Sequence, residues 1–236
     1  MKFDTNIYAE AYYENLLPSP GNDYPRLKAW EFLYEYVWDE SRKNWADLIS
    51  EDQIETTALH IGFYLANWGM FRGSSGLLKN SNLDLMKNLA RLLFEGDGPE
   101  LLELSMHNFS ADDPKLVYHQ KLMDSVLGSM ELLASNVSWT DTLKTKILMG
   151  VWGECPALDR FYISACRDLF PRHTYITSAS GKGLTALVEA VRELNPSPSL
   201  RLETGRLKLP YPTARILDMA FFQYGLELAQ ISASSR

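Results

Sequence analysis

The sequence predicts an all-α protein of about ten helices in one globular unit, and a division into two helical lobes with a cleft between them is left open. Three observations lead to this fold class. Apolar residues recur at intervals of three and four along most of the chain, clusters of turn-forming residues separate these stretches, and no stretch shows the alternation of a half-buried strand. With 46% apolar residues in 236, the chain can fill a sizeable core without a metal or a disulfide.

The helical pattern can be followed in order along the chain. The predicted helices span 6–16, 26–45, 51–71, 82–95, 98–106, 114–134, 140–151, 156–170, 181–194 and 213–232. The second helix has an apolar stripe of Leu27, Trp30, Leu33, Tyr34, Val37 and Trp38, and the third one of Ile54, Ala58, Ile61, Leu65 and Trp68. Ser50 is in N-cap position for the third helix, since a serine oxygen can accept a free amide N–H of the first turn.

The breaks between helices suggest one domain, 1–236. If it has lobes, one is a central bundle of about 30–170, and the other joins the N-terminal helix to 171–236. The longest irregular segment is 195–212, which is rich in proline and basic residues. It is interpreted as either a functional loop or a small β excursion.

Composition excludes several classes of protein. The net charge of −7 argues against a generally basic coat for nucleic acid, but Thr142–Ile216 contains eleven Lys and Arg against six Asp and Glu and could present one anion-binding face. No apolar run reaches membrane-spanning length and the acidic N-terminal stretch is unlike a signal peptide, so we expect a cytoplasmic protein that does not bind membranes. Cys155 and Cys166 are expected to be buried apolar side chains in a reducing compartment.

Motifs for metals and phosphates are weak. The four histidines are scattered, so we expect no metal site, and no cofactor is indicated. The stretch "SASGKGLT" (178–185) lacks the spaced upstream glycine of a P-loop. Helix capping by Ser180 and Gly181 is the favoured interpretation, and anion binding at that helix start together with Lys182 is the alternative.

The segment 140–170 carries the most chemical information. Pro156 suits the first helical position, and Leu158, Phe161, Tyr162, Ala165 and Leu169 would form the buried stripe that follows. Asp159 falls in the first turn, where amide groups and the helix dipole stabilise a carboxylate. It is either an ordinary helix-start acid or a catalytic carboxylate held ionised by the same interactions.

The stretch "KILMGVWGECPALDRFYISACRDL" (146–169) resembles the C-terminal half of the helix–hairpin–helix DNA glycosylase superfamily. In that family a lysine-bearing helix is followed by a short turn and by a helix start with proline, two apolar residues and aspartate, which Pro-Ala-Leu-Asp-Arg of 156–160 matches. Weaker similarities are "FYLANWGMFRGSS" and "ILDMAFFQYGLELA". The region 134–145 has no glycine or proline, whereas the family has a glycine-rich hairpin there.

The resemblance implies an enzyme that cleaves the N-glycosidic bond of a damaged or modified base flipped out of duplex DNA, in repair or in antiviral defence. Asp159 would stabilise the positive charge on the sugar, and Lys146, with Lys144 as the alternative, would be the amine of a Schiff-base route. Trp68, Phe71, Arg72, Trp152 and Tyr162 would form the base pocket. The residues expected to contact DNA phosphates are Lys144, Arg160, Arg172, His173 and Lys182.

Two other functions stay open at this point. One is a non-catalytic α-helical binding or regulatory protein of bacterial defence type, which the acidic overall charge and the missing hairpin favour. The other is a binder of small molecules or nucleotides that uses "RGSSG" (72–76) and "SGKG" (180–183) as anion loops. The identity of the base and the oligomeric state are not indicated by the sequence.

Overall fold

A computed structural model describes residues 3–25, 28–72, 76–194 and 198–234, and these form one all-helical globular unit, as predicted. Eleven α-helices lie within these ranges. They are α1 (Thr5–Glu14), α2 (Ala29–Val37), α3 (Ile54–Asn67), α4 (Leu77–Asn80), α5 (Leu83–Phe94), α6 (Asp97–Leu102), α7 (Leu116–Leu132), α8 (Asp141–Val151), α9 (Arg160–Leu169), α10 (Gly181–Arg192) and α11 (Thr213–Ser234). Short 3-10 helices span Trp45–Ile49 and Met106–Phe109, and this part of the chain contains no β-strand.

Helix α8 is the central helix of the fold. Thr140 caps its start by accepting the Leu143 N–H, and every residue from 143 to 151 is buried. Helices α2 and α3 pack against it. They approach closely at Gly150, where a Cβ atom would lie 2.6 Å from the Tyr64 ring and 2.8 Å from Leu33. The central position of α8 explains why the lysines of this helix are drawn into the interior.

The long C-terminal helix α11 packs against α1 and α9. Its closest approach to α9 is at Gly225, where a Cβ atom would lie 2.0 Å from the Phe161 carbonyl oxygen. On another side of the molecule α10 packs against α7, with Gly181 against Gln120. The C-terminal third is therefore packed directly on helices of the 30–170 bundle.

The predicted end of the second helix and the predicted start of the third helix are wrong. The second helix ends at Val37 instead of continuing to 45, and a separate 3-10 turn begins after Asn44, which forms a capping box with Asp47. Ser50 is not the N-cap of the third helix, because α3 begins at Ile54 and the Ser50 hydroxyl donates to the Asp47 carbonyl. Polar side chains that cap the intervening turn thus take precedence over the apolar period of the flanking sequence.

The irregular segment after α10 makes one isolated antiparallel bridge, between Glu203 and Pro210, which agrees with the predicted small β excursion. The tip of this loop is fixed by a buried carboxylate of α2. Glu35 accepts hydrogen bonds from the Arg206 and Leu207 amides at 2.8 and 2.7 Å. Residues 195–197 of the predicted segment lie outside the described residues.

Candidate active site

Asp159 is the N-cap of α9, and the helix starts at Arg160. The prediction that Pro156 occupies the first helical position is therefore wrong. The physical reason is that side chains of other helices bind the backbone before α9: the Ala157 N–H donates to Asp218 and the Leu158 N–H donates to Thr145, each over 2.9 Å. Because these two amides are bound by other helices, α9 begins only at Arg160, with Asp159 as its N-cap.

The Asp159 carboxylate is held at the helix start and is largely removed from water. Its Oδ1 accepts the amide N–H groups of Phe161 and Tyr162 at 2.9 and 3.0 Å. Burial raises the pKa of Asp159, while the Tyr162 amide and the nearby Lys146 ammonium act to lower it. A carboxylate with opposing influences of this kind is typical of functional sites.

The side chain of Lys146, in the middle of α8, lies in the same region. It is only 6% exposed, and its Nζ donates to the main-chain oxygen of Trp68 over 3.0 Å. The ammonium also lies 5.4 Å from the centre of the Trp68 ring. Lys146 therefore contacts Trp68 at the end of α3 directly and lies within electrostatic range of Asp159 at the start of α9.

A second charged pair lies beside these residues, and sequence reasoning did not find it. Arg215 of α11 is fully buried and its Nη1 donates to the Asp218 carboxylate over 2.5 Å. The guanidinium carbon lies 4.9 Å from the Trp30 ring centre and 5.4 Å from those of Tyr12 and Trp68. Cation–π attraction to three rings helps to offset the cost of burying this guanidinium.

A sequence signal for this pair does exist. Arg215 and Asp218 are spaced i, i+3 within the otherwise apolar start of α11, and such a spacing places opposite charges on one helix face. By composition alone, Arg215 is only one of the eleven Lys and Arg residues of Thr142–Ile216. Its burial depends on the aromatic residues of α1, α2 and the end of α3, which no local pattern connects to it.

The residues predicted to form the base pocket are only partly brought together. Trp68 lies in the charged cluster, Phe71 is half-buried against the core, and Arg72 is exposed close to Gly69. Trp152 is in a different part of the core, where its indole Nε1 donates to the Leu104 carbonyl over 2.7 Å. This location does not favour a base-binding role for Trp152, because its polar atom and both ring faces are enclosed by protein.

Tyr162 is likewise a core residue. It is 1% exposed, and its ring packs against Phe221 of α11 with centroids 5.6 Å apart. Burial raises the pKa of its hydroxyl well above the usual value, so this phenol stays protonated. Only the Tyr162 amide contacts the candidate site, through Asp159.

The residues predicted to contact DNA phosphates fall into two groups. Arg160, Arg172 and Lys182 are exposed, whereas His173 is half-buried with its Nε2 3.1 Å from Glu193. Lys144 is 7% exposed, and its Nζ lies 2.7 Å from Glu131. That ion pair does not favour Lys144 as a phosphate ligand, since its charge is already matched within the protein.

The start of α10 is occupied by protein acceptors. Ser180 is the N-cap and accepts the Gly183 N–H, which confirms the favoured capping interpretation. The Gly181 N–H donates to Asp124 and the Ala179 N–H to Asp141. Carboxylates thus take the positions that an anion would need, so the structure does not favour the alternative anion loop at 180–183. Three residues of the other proposed anion loop, 73–75, lie outside the described residues.

Within the described ranges, no three His, Cys, Asp or Glu side chains are grouped closely enough to hold a metal ion. Cys155 and Cys166 are buried free thiols, and burial raises the pKa of both. None of the described helices has the length and apolar character needed to cross a membrane.

No protein-family model, curated protein or solved structure matches this chain. The function is therefore argued from the arrangement of its own residues.

Proposed function

We propose that this protein is a DNA glycosylase-like enzyme that cleaves the N-glycosidic bond of a damaged or modified base flipped out of duplex DNA. One observation carries the proposal: a mostly buried carboxylate at a helix start, Asp159, lies within electrostatic range of an almost fully buried amine, Lys146, which itself contacts the aromatic residue Trp68. A carboxylate, an amine and an aromatic surface are the groups that this chemistry requires.

Asp159 is suited to stabilise the sugar. Departure of the base leaves an oxocarbenium-like charge at C1′, and a fixed carboxylate opposes that charge most strongly where water is excluded. The two amide hydrogen bonds to Asp159 fix its position before the reaction, so little reorganisation is required at the transition state. A water molecule oriented by the same carboxylate would complete hydrolysis.

Lys146 offers a second route to the same product. Its amine in the neutral form would attack C1′ as the C1′–N bond breaks, and the base would leave with a proton. The C1′–O4′ bond of the resulting aminal would then break, with the nitrogen proton passing to O4′, to open the sugar ring and give the Schiff base. Hydrolysis would release an abasic site, and elimination of the 3′ phosphate would give lyase activity. In the water-dependent route Lys146 would instead remain charged and hold Asp159 in place.

DNA would approach over the exposed basic side chains near the start of α9. Arg160 follows Asp159 directly, and Arg72 follows the Trp68 turn, so both are close in sequence to the reactive groups. Phosphate contacts of this kind position the duplex without reading its sequence. A role in repair and a role in antiviral defence both follow from this chemistry.

The direct test is incubation of the purified protein with duplex oligonucleotides that each carry one damaged or phage-type modified base, followed by alkali to cleave abasic sites. We expect strand cleavage for at least one modified base and none for unmodified DNA. Borohydride added during the reaction should trap a covalent protein–DNA adduct if Lys146 forms the Schiff base, and Lys146→Gln should abolish it. The exposed Lys121→Gln is the matched control. Intact DNA throughout would refute the proposal.

One observation favours the alternative of a non-catalytic binding protein. Three large apolar side chains, Phe32, Leu59 and Phe63, are each more than half exposed and line a groove of about 570 Å³ between α2 and α3. Exposed apolar groups placed side by side are typical of interaction surfaces. If binding of a partner in this groove were the only function, Phe63→Glu would abolish that binding, whereas Asp159→Asn would leave it unchanged.

A further inference from the structure

Asp218 of α11 connects the buried ion pair to the segment that carries Asp159. Its Oδ1 accepts the Ala157 N–H over 2.9 Å, while its Oδ2 is bound by Arg215. One carboxylate thus joins α11 to the backbone two residues before Asp159. Any change in the position of Asp218 is transmitted to the start of α9.

The same backbone segment is held from the opposite side by α8. The Leu158 N–H donates to the Thr145 hydroxyl, and the Leu158 carbonyl accepts from Thr142 over 2.7 Å. Residues 157 and 158 are therefore fixed between two helices, one of which carries Lys146. This arrangement determines the distance between Asp159 and Lys146, because Asp159 is the next residue of the chain.

The buried ion pair is a costly way to stabilise a fold. Replacing such a pair by apolar side chains of similar volume is often neutral or stabilising, since two charges must be removed from water. Arg215 and Asp218 are 0% and 4% exposed, and in the described part of the chain Arg215 Nε and Nη2 make no hydrogen bond. A contribution to stability therefore does not explain why the ion pair is present, whereas a role in positioning the neighbouring groups does.

Asp218 and Asp159 also interact electrostatically. Burial and the nearby Asp159 carboxylate raise the pKa of Asp218 and the Arg215 charge lowers it, and the net result is a pKa of about 6. The ionisable groups that face Asp218 from the packed elements are Tyr12 of α1, Tyr64 of α3, Cys155 and Asp159 of the α8–α9 connection, Tyr162 and Cys166 of α9, and Arg215 of its own helix. Among these, only aspartate and arginine are residue types that are charged at neutral pH when they are exposed to water.

We infer that Asp218 is a positioning residue for Asp159: together with Arg215 it fixes residues 157–158, and thereby the place of the Asp159 carboxylate at the start of α9. This inference rests on the proposed function for its catalytic meaning. Its structural content does not, because the placement and the protonation of Asp159 can be measured without a substrate.

The experiment compares three variants of the full-length chain. Asp218→Asn keeps an acceptor for the Ala157 N–H but leaves Arg215 unpaired, so it is expected to be less stable. The double variant Arg215→Met with Asp218→Asn removes both charges and keeps the acceptor. Glu35→Gln is the matched control, a buried carboxylate that also accepts backbone amides but holds the 206–207 loop instead.

The first measurement is an NMR titration of the Asp159 side-chain carboxyl, together with the Asp159 amide shift. In the wild type the Asp159 carboxyl signal should show a second step near pH 6 as Asp218 ionises, and Asp218→Asn should remove this step because the neighbouring titrating group is lost. The amide shift should move in both Asp218 variants and stay unchanged in Glu35→Gln. Unchanged Asp159 signals in folded Asp218 variants would overturn the inference, as would failure of the double variant to fold, since that would assign the pair to folding.

The second measurement is the pH profile of base release for a substrate found by the cleavage assay. The Asp218 variants should lose at least tenfold in kcat with little change in KM, and the inflection near pH 6 that ionisation of Asp218 causes in the wild-type profile should disappear. An active wild type with Asp218 variants of unchanged kcat and profile refutes the positioning role alone. A wild type that cleaves no substrate refutes the proposed function, and the NMR titration then still decides whether Asp218 places Asp159.

Discussion

Asp159 combines two roles that are usually discussed as alternatives. It is the N-cap of α9, where its oxygen accepts two amide N–H groups, and it lies within electrostatic range of Lys146 in a region with little water. Capping keeps the carboxylate in one orientation, and burial makes its charge more effective toward a nearby cation. The cap therefore serves the proposed chemistry and does not compete with it.

Substitutions at Asp159 can separate the cap from the charge. Asparagine caps helices as well as aspartate does, so Asp159→Asn should change the free energy of unfolding by less than about 1 kcal/mol. Asp159→Ala leaves the Phe161 and Tyr162 amides without their acceptor and should cost about 1–2 kcal/mol. Both variants should lose base release by at least 100-fold. Urea unfolding and the cleavage assay measure the two effects.

The control is Asp84→Asn, which changes an exposed first-turn acid of α5 and should leave stability and cleavage nearly unchanged. Full activity in Asp159→Asn would show that the carboxylate acts only as a cap. Equal loss of stability in the Asn and Ala variants would show that the cap depends on the charge.

At the scale of elements, the position of Asp159 depends on how closely α9 and α11 approach. The absence of a side chain at Gly225 allows the Phe161 carbonyl to lie where a Cβ atom would be. Phe161 is two residues from Asp159, and its amide is one of the two donors to that carboxylate. Contact between the two helices therefore helps to fix the position of the first turn of α9.

Gly225→Ala should accordingly force α9 away from α11. We expect a loss of about 2–3 kcal/mol in the free energy of unfolding, because the clash is with main-chain atoms that cannot rotate away. Cleavage activity should fall with it, since Asp159 moves with α9. Chemical denaturation and the cleavage assay provide the measurements.

Gly128→Ala is the matched control for this change. It is also a mid-helix glycine, in α7, but its Cβ atom would meet nothing within 4 Å. Alanine favours a helix over glycine by about 1 kcal/mol, so this variant should be slightly more stable than the wild type. A stable Gly225→Ala variant would contradict the close packing of α9 and α11.

The elements also show which features a sequence can predict. The 3.6-residue period located most helices of the described chain because each buries one face, and the stripes of Ile54, Ala58, Ile61 and Leu65 are indeed buried. The start of α9 was missed, because the Asp218 and Thr145 side chains that hold the preceding amides come from other helices. A local pattern carries no information about such tertiary hydrogen bonds.

The same distinction applies to the candidate site. The resemblance on 146–169 led to Asp159 and Lys146, whose charges influence each other in the structure. It could not lead to Asp218, whose contact with Ala157 spans 61 positions of the chain. Trp152 is an aromatic residue of the type that stacks on bases, but in the structure it is buried in contact with Leu104 and Phe109.

At the scale of the whole molecule, buried charges hold the packing together. Glu31, Glu35, Lys144, Lys146, Arg215 and Asp218 are all buried among the described residues. Glu35 fixes a loop, Lys144 pairs with Glu131, and Asp218 holds the start of α9. Protonation of Asp218 should therefore alter both stability and the start of α9.

Asp218 gives this dependence a definite sign. Its pKa is raised from 3.8 in an exposed aspartate to about 6 in the folded protein. As the pH rises from 4 to 6 the unfolded chain has already lost this proton while the folded protein still holds it, so ionisation in the folded state becomes a cost and stability falls. At ~1.4 kcal/mol per pKa unit the loss is about 3 kcal/mol.

The prediction is best measured as a difference. Urea unfolding of the wild type and of the Arg215→Met, Asp218→Asn double variant at several pH values removes the contributions of carboxylates common to both. The stability of the wild type relative to the variant should decline between pH 4 and pH 6 and level off above, because Asp218 is then ionised in both states. A difference that is constant or rises over this range would show that Arg215 keeps Asp218 ionised throughout, and Asp218 would then play no part in the protein's response to pH.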